Sequence, residues 1–213
     1  MTLVNPGDKI QSYVLNDNLI GPANAFGLVM IAPTGLQTGG GTISSTPLGK
    51  VTVSGLSSLV GVIGVFSPVY ENYLVKLDLT TDTNAGINMQ MSFGNVQLAS
   101  GYDSQVMAGV GTSTPVDNQV LASGSWPIAA ASQTIHKITL DLHCFDSTRG
   151  SVVPAPIYGS ATAAAMNNPP TSAAATAVRQ LSQSSALGFD GFYLTPAAGH
   201  ISGVIRVYGL NNG

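Results

Sequence analysis

The chain has 213 residues, a formal net charge of −3 and 44% hydrophobic residues, yet only 8% of it is charged, against about 25% in an ordinary soluble domain. Its seven Lys and Arg residues lie singly along the sequence, which argues against nucleic-acid binding, and its single Cys excludes an intrachain disulfide. Met1 to Asp8 lacks the charged start and apolar centre of a signal peptide, and no apolar run is long enough to span a bilayer as a helix, so the expectation is a soluble, non-secreted product.

A core of this size needs neither disulfide nor metal to hold it. The scarcity of charge has a further implication. Charge keeps protein surfaces apart, so a surface built mainly from hydroxyls and amides is expected to bury much of itself against copies of this chain or against other proteins.

In chain order, residues 1–26 mix turn residues with isolated hydrophobics and read as an extended arm that docks into a neighbour. Residues 27–213 read as one all-β domain. Gly27 to Ala32 is a short apolar run closed by Pro33, and Lys50 to Gly55 alternates polar with apolar residues at period two. Tyr70 to Thr80 places Tyr73, Val75, Leu77 and Leu79 on one face and Leu74, Lys76, Asp78 and Thr80 on the other. After a turn at residues 81–86, Ile87, Met89, Met91 and Phe93 alternate with Asn88, Gln90 and Ser92. The turn chemistry predicts that these two strands pair.

Ser132 to Phe145 repeats the alternation, with Ile138, Leu140, Leu142 and Cys144 on one side. Gly159 to Ser185 is rich in Ala, Ser and Thr and reads either as holding a short helix near Thr171 to Leu181 or as a long surface loop. Phe189 to Thr195 and Ile201 to Leu210 read as the two strands of a hairpin joined by Pro-Ala-Ala-Gly, the last strand being paired into a sheet. Several strands separated by Gly, Ser and Asn loops indicate an antiparallel sandwich or barrel.

Catalytic chemistry is sparse. The one glutamate, Glu71, adjoins a strand, and most Asp residues (Asp82, Asp103, Asp117, Asp146) fall where turn capping explains them. Asp78 and Asp141 are the only strand-centred carboxylate pair for a glycan-degrading mechanism. His136 and His143 differ by an odd number and so point to opposite faces of a strand, which precludes chelation of one metal. Cys144 shares the face of Leu140 and Leu142 and reads as a buried, inert thiol. The glycine runs at 39–41 and 109–111 lack the context of a phosphate loop. The expectation is a non-enzyme with no cofactor and no metal.

Two stretches carry a resemblance. GVFSPVYENYLVKLDL, residues 64–79, and FDGFYLTPAAGHISGVIRVYG, residues 189–209, resemble the recurrent motifs of tailed-phage structural proteins of the minor tail, tail-fibre or receptor-binding type. The matching residues are Phe66, Tyr70 and Tyr73 in the first, and Phe189, Gly191, Phe192, Gly203, Arg206 and Tyr208 in the second. Glu71 stands where an aspartate is usual, and Leu210 where an aromatic is common. Residues 27–59 are similar to the lead-in of the same family, and the resemblance covers roughly half the chain.

The resemblance implies a jelly-roll-like antiparallel β-sandwich that assembles as a homotrimer in the virion after synthesis in the host cytoplasm. It also implies a non-enzymatic role at the tail, contributing to host attachment. The alternative is a decoration or cement protein on the head. The motif residues read as architectural: Tyr70 and Tyr73 as ring anchors, Gly191 and Gly203 as bulges or close backbone approaches, and Arg206 as a partner for an acid such as Asp190. Tyr102, Trp126 and Tyr158, aromatics of the middle section, are the candidate contacts for a host surface glycan. No membrane or nucleic-acid partner is expected.

Overall fold

Alternating apolar and polar side chains sort the strands into two antiparallel sheets packed face to face, in a computed structural model that describes residues 27–110, 116–129, 133–146, 153–166, 175–185 and 187–211. The expected arm at residues 1–26 lies outside these residues. The large sheet contains β1 (Gly27–Met30), β3 (Thr42–Ser45), β4 (Val51–Leu56), β6 (Asn72–Thr81), β9 (Tyr102–Val110), β10 (Val116–Ser123), β12 (Ile135–Asp146), β13 (Val153–Met166), β14 (Ala175–Gln183) and β16 (Ile201–Asn211). Its order is β10-β9-β14-β13-β12-β6-β16-β4-β3, with β1 also beside β16. The small sheet contains β2 (Gly35–Thr38), β5 (Val60–Ile63), β7 (Ile87–Phe93), β8 (Val96–Gln97), β11 (Trp126–Ala129) and β15 (Gly191–Pro196). There the order is β11-β7-β15-β5-β2, with β8 also beside β7. The chain is thus an all-β sandwich, and no helix occurs among the described residues.

The core lies between the sheets. Tyr73, Val75, Leu77 and Leu79 of β6 and Ile138, Leu140, Leu142 and Cys144 of β12 face Val60, Val62, Met89, Met91, Phe192 and Leu194 of the small sheet, all buried. The inward faces of β6 and β12, and of β7 as far as Met91, are those that the alternation predicts, but Phe93, expected on the same face, is 48% exposed and Ser92 is buried. Burial raises the Cys144 thiol pKa and leaves the cysteine free and inert.

Two expected pairings are corrected. β6 and β7 do not pair; the chain crosses from one sheet to the other at residues 82–86, so their apolar faces oppose each other across the core. The same holds for β15 and β16, which were expected to form a hairpin. Both segments bury one full face, and facing each other across the roughly 10 Å of a sandwich hides more apolar surface than lying side by side. The two crossings are stapled together. The Ala197 amide donates to the Gly86 carbonyl (2.9 Å) and the His200 amide to the Asp82 carboxylate (2.7 Å). The His200 ring nitrogen Nδ1 lies 2.5 Å from the other Asp82 oxygen, and these bonds hold the Asp82 pKa below the usual carboxylate value.

The segment from Gly159 to Ser185 is also corrected, being neither helix nor surface loop where it is described. β13 pairs with β12, and β14 pairs with β13 and β9. Ala161, Ala163 and Ala165 face inward while Ser160, Thr162 and Ala164 face outward. Small side chains in strict alternation suit a sheet whose opposite layer approaches closely.

Candidate functional site

Pairing register arranges the outward side chains of the large sheet in rows about 4.8 Å apart from strand to strand. One row passes through Asn72, His143, Tyr158, Ser182 and Asp103. The neighbouring row passes through Leu74, Asp141, Ser160, Gln180, Gln105 and Gln119. Tyr158 stands at the centre with 58% of its surface exposed. Open grooves flank it. One of about 270 Å³ is lined by Asp103, Gln105, Gln119, Leu121, Gln180 and Ser182, and one of about 370 Å³ by Asp141, His143, Ser160 and Gln180. A half-exposed ring set among amides, hydroxyls and two carboxylates offers both stacking and hydrogen bonding to a polar ligand.

Of the three aromatics expected to contact a ligand, the sandwich brings only Tyr158 to this face. Tyr102 and Trp126 are fully buried and pack edge to face with ring centroids 5.2 Å apart. Contact at these two positions is therefore corrected to anchoring. The Trp126 indole N–H reaches the carbonyls of Asp103 (3.1 Å) and Ser182 (2.9 Å), pinning β11 across the gap onto β9 and β14. The Tyr102 hydroxyl accepts from the Met91 amide and donates to the Leu98 carbonyl, both at 2.8 Å, and burial pushes its pKa up to about 12. Both rings tie the sheets together at the expense of any outward role.

The ionisable groups are dispersed. Asp141 lies opposite Leu74, four residues along β6 from Asp78, so the two carboxylates stand about 13 Å apart along the strand direction. That exceeds the spacing of paired-carboxylate hydrolases, about 5–9.5 Å. Asp78 accepts from Lys137 (2.7 Å) and Arg206 (3.1 Å), and Lys137 foremost holds its pKa below the ordinary value. His136 is buried on the inner face, while His143 is on the outer face with its ring 2.6 Å from the Asn72 amide oxygen. Among the described residues no three potential metal ligands cluster. Asp103 lies within β9, not in a turn, and its carboxylate accepts from the Ala122 amide (2.7 Å) at an irregularity in β10. The side chains of Asp117 and Asp146 lie outside the described ones.

Part of the phage resemblance packs together between the sheets, around Phe66, Tyr73, Phe189 and Phe192, while Arg206 and Tyr208 lie on the outer face of β16. The Val65 and Phe66 amides donate to the Asp190 carbonyl (2.9 and 3.2 Å). The Phe66 ring packs on Tyr73 and Phe192, with centroids 4.7 and 5.9 Å away, and Phe189 is buried beside them in the same core. The Tyr73 hydroxyl donates to the Ser67 carbonyl (2.5 Å) and accepts from the Ser67 amide (2.7 Å). Gly191 and Gly203 sit where a β-carbon would strike the backbone of Val62 and Asp78, respectively, and Gly203 adopts φ +139° beside a register shift. Tyr208 is half-buried on the outer face opposite Leu74. Arg206 pairs with Asp78 and not with Asp190, because outward residues of β16 meet those of β6, while Asp190 precedes a small-sheet strand.

Sequence reasoning did not find Gln105, Gln119 and Gln180, which cross-strand pairing lines up beside Tyr158. Local sequence offered no signal for them, because the exposed Val178 and the buried Arg179 break the apolar-polar alternation of β14. In comparisons with known proteins, no family model, no curated protein and no solved structure matches this chain.

Proposed function

We propose that this chain is a non-enzymatic structural protein of a phage virion, a tail-fibre or tail-tip component that contributes to host attachment. On this reading it presents the Tyr158 face to a host surface glycan. The observation that carries the proposal is the outward face itself, where an exposed ring stands between two grooves lined by amides, hydroxyls and carboxylates. Neutral sugars are recognised by that combination, a flat apolar surface for the ring and directional partners for the hydroxyls. The phage resemblance adds support, since Phe66, Tyr73, Phe189 and Phe192 of its motifs lie in the core and would preserve the sandwich while outer faces vary. The low charge supports assembly with further copies, a homotrimer on this reading, with residues 1–26 docking into a neighbouring virion protein.

The test is adsorption of phage carrying Tyr158→Ala. The expected result is slower adsorption with folding stability changed by less than about 0.5 kcal/mol, as for an exposed position. Wild-type adsorption would refute the contact assignment. Antibody labelling of intact particles is expected at the tail, and labelling on the head would replace attachment with a decoration role.

A further inference from the structure

Lys76, Lys137 and Arg206 are far apart in sequence, but strand pairing gathers these three of the chain's seven basic residues on the outer face of β6, β12 and β16. Lys76 lies directly opposite Arg206 on β16 and opposite Thr139 on β12, and Lys137 lies opposite Asp78. Like charges facing each other across a strand pair destabilise a sheet. Asp78 answers Lys137 and Arg206, but among the described residues Lys76 has no ion-pair partner. Three cations stand against Asp78 in the groove and Asp141 diagonally across from Lys76, which leaves one positive charge in excess here, on a chain whose net charge is −3. These side chains, with Thr139 and Tyr208, line a groove of about 450 Å³.

We propose that this groove is a binding site for an oxyanion, a phosphate or carboxylate group, held between the Lys76 ammonium and the Arg206 guanidinium. Arg206 gives one N–H to Asp78, and a guanidinium carries five, so donors remain for an incoming anion. Thr139 and Tyr208 supply hydroxyls to the same groove. Asp78 holds Arg206 and Lys137 in place and also limits the excess charge, so the site suits a singly or doubly charged group and not a dense polyanion. The oxyanion could be free or borne by an acidic polysaccharide. Only the second source rests on the attachment reading.

The experiment titrates the whole protein with inorganic phosphate at low ionic strength and follows backbone amide resonances. Saturable shifts centred on Lys76, Lys137 and Arg206 are expected. Lys76→Gln should weaken binding severalfold and Lys76→Glu by about tenfold or more, both without loss of folding, since Lys76 is exposed. Absence of saturable shifts, or equal binding by folded Lys76→Glu, would overturn the proposal. In a second arm, polygalacturonate is compared with neutral dextran. Binding of polygalacturonate alone, competed by phosphate and lost in Lys76→Glu, assigns the anion to a polysaccharide. Phosphate binding without polygalacturonate binding refutes that source and leaves the attachment reading to be judged by the Tyr158→Ala phage.

Discussion

The Tyr70 ring lies directly over Gly209, so that a β-carbon at position 209 would come within 2.5 Å of Cδ2 and 2.8 Å of Cδ1. Gly209 is itself buried between Tyr73 of β6 and Val29 of β1. The bare backbone of one motif is the seat for an aromatic ring of the other, and this explains both residues without invoking a ligand. Gly209→Ala is expected to destabilise the fold by about 1–3 kcal/mol, the usual cost of overpacking a closed site. Chemical denaturation would measure it. An unchanged midpoint would mean that the ring is free to move aside.

Trp126 joins the sheets by packing and by hydrogen bonding together. Trp126→Phe keeps most of the ring but leaves the carbonyls of Asp103 and Ser182 without its N–H. The expected loss is about 1–3 kcal/mol, whereas Trp126→Ala should cost about 3–5 kcal/mol. Equal losses in the two variants would show that the indole N–H contributes little.

Arg179 points into the sandwich from β14, opposite Ala161 and Val106. It is 5% exposed, and its Nε and Nη1 have no hydrogen-bond partner. Burial lowers its pKa, the mark of a charge removed from water without compensation. Replacing such a charge with an apolar side chain of similar length is expected to stabilise the protein, by about 1–4 kcal/mol for Arg179→Met. Chemical denaturation would measure it, and a destabilised variant would show that packing of the arginine side chain outweighs the cost of burying its charge.

The acid limb of stability carries a signature of His136. The residue is fully buried, with Nε2 3.3 Å from the Thr81 hydroxyl. Burial lowers its pKa from the usual 6.5, and the Gln133 backbone opposes this only in part. The unfolded chain therefore takes up a proton as the pH falls through about 6.5 while the folded chain resists. His136 imposes no penalty above that pH, and stability is lost progressively as the pH falls toward and through the folded pKa. The free energy of unfolding should decline below pH 6.5, with a slope of at most about 1.4 kcal/mol per pH unit from this one group, as read by chemical denaturation across the pH range. His136→Met should flatten that part of the curve, and an unflattened curve would assign the slope to another group.

Much of the sandwich was legible in the sequence because alternation states which face of a strand is wet. Tyr73 to Leu79 and Ile138 to Cys144 show this, as does the placement of His136 and His143 on opposite faces. Alternation does not state which strand lies alongside, so the turns at 81–86 and 196–200 read equally well as hairpins and as crossings between sheets. The Ala-rich strands β13 and β14 escaped notice because Ala against Ser or Thr offers almost no contrast in hydropathy, and Ala favours helix. Exposure of the middle aromatics was equally hidden. Tyr102, Trp126 and Tyr158 sit in similar local sequence, and only tertiary packing sends two of them inward. Lys76, Lys137 and Arg206 look solitary until pairing makes them neighbours.

β16 lies in the interior of the large sheet, bonded to β6 on one side and to β4 and β1 on the other. Its position has a consequence for biosynthesis. The middle of that sheet cannot close until Ile201–Asn211 has emerged from the ribosome, so β6, β4 and β1 must each wait with one edge unpaired. Non-local pairing of this kind folds slowly, and the waiting chain exposes the strand edges that invite aggregation. A message cut short before β16 would yield a chain with a gap at its centre, which quality-control proteases could remove before it reached an assembling particle.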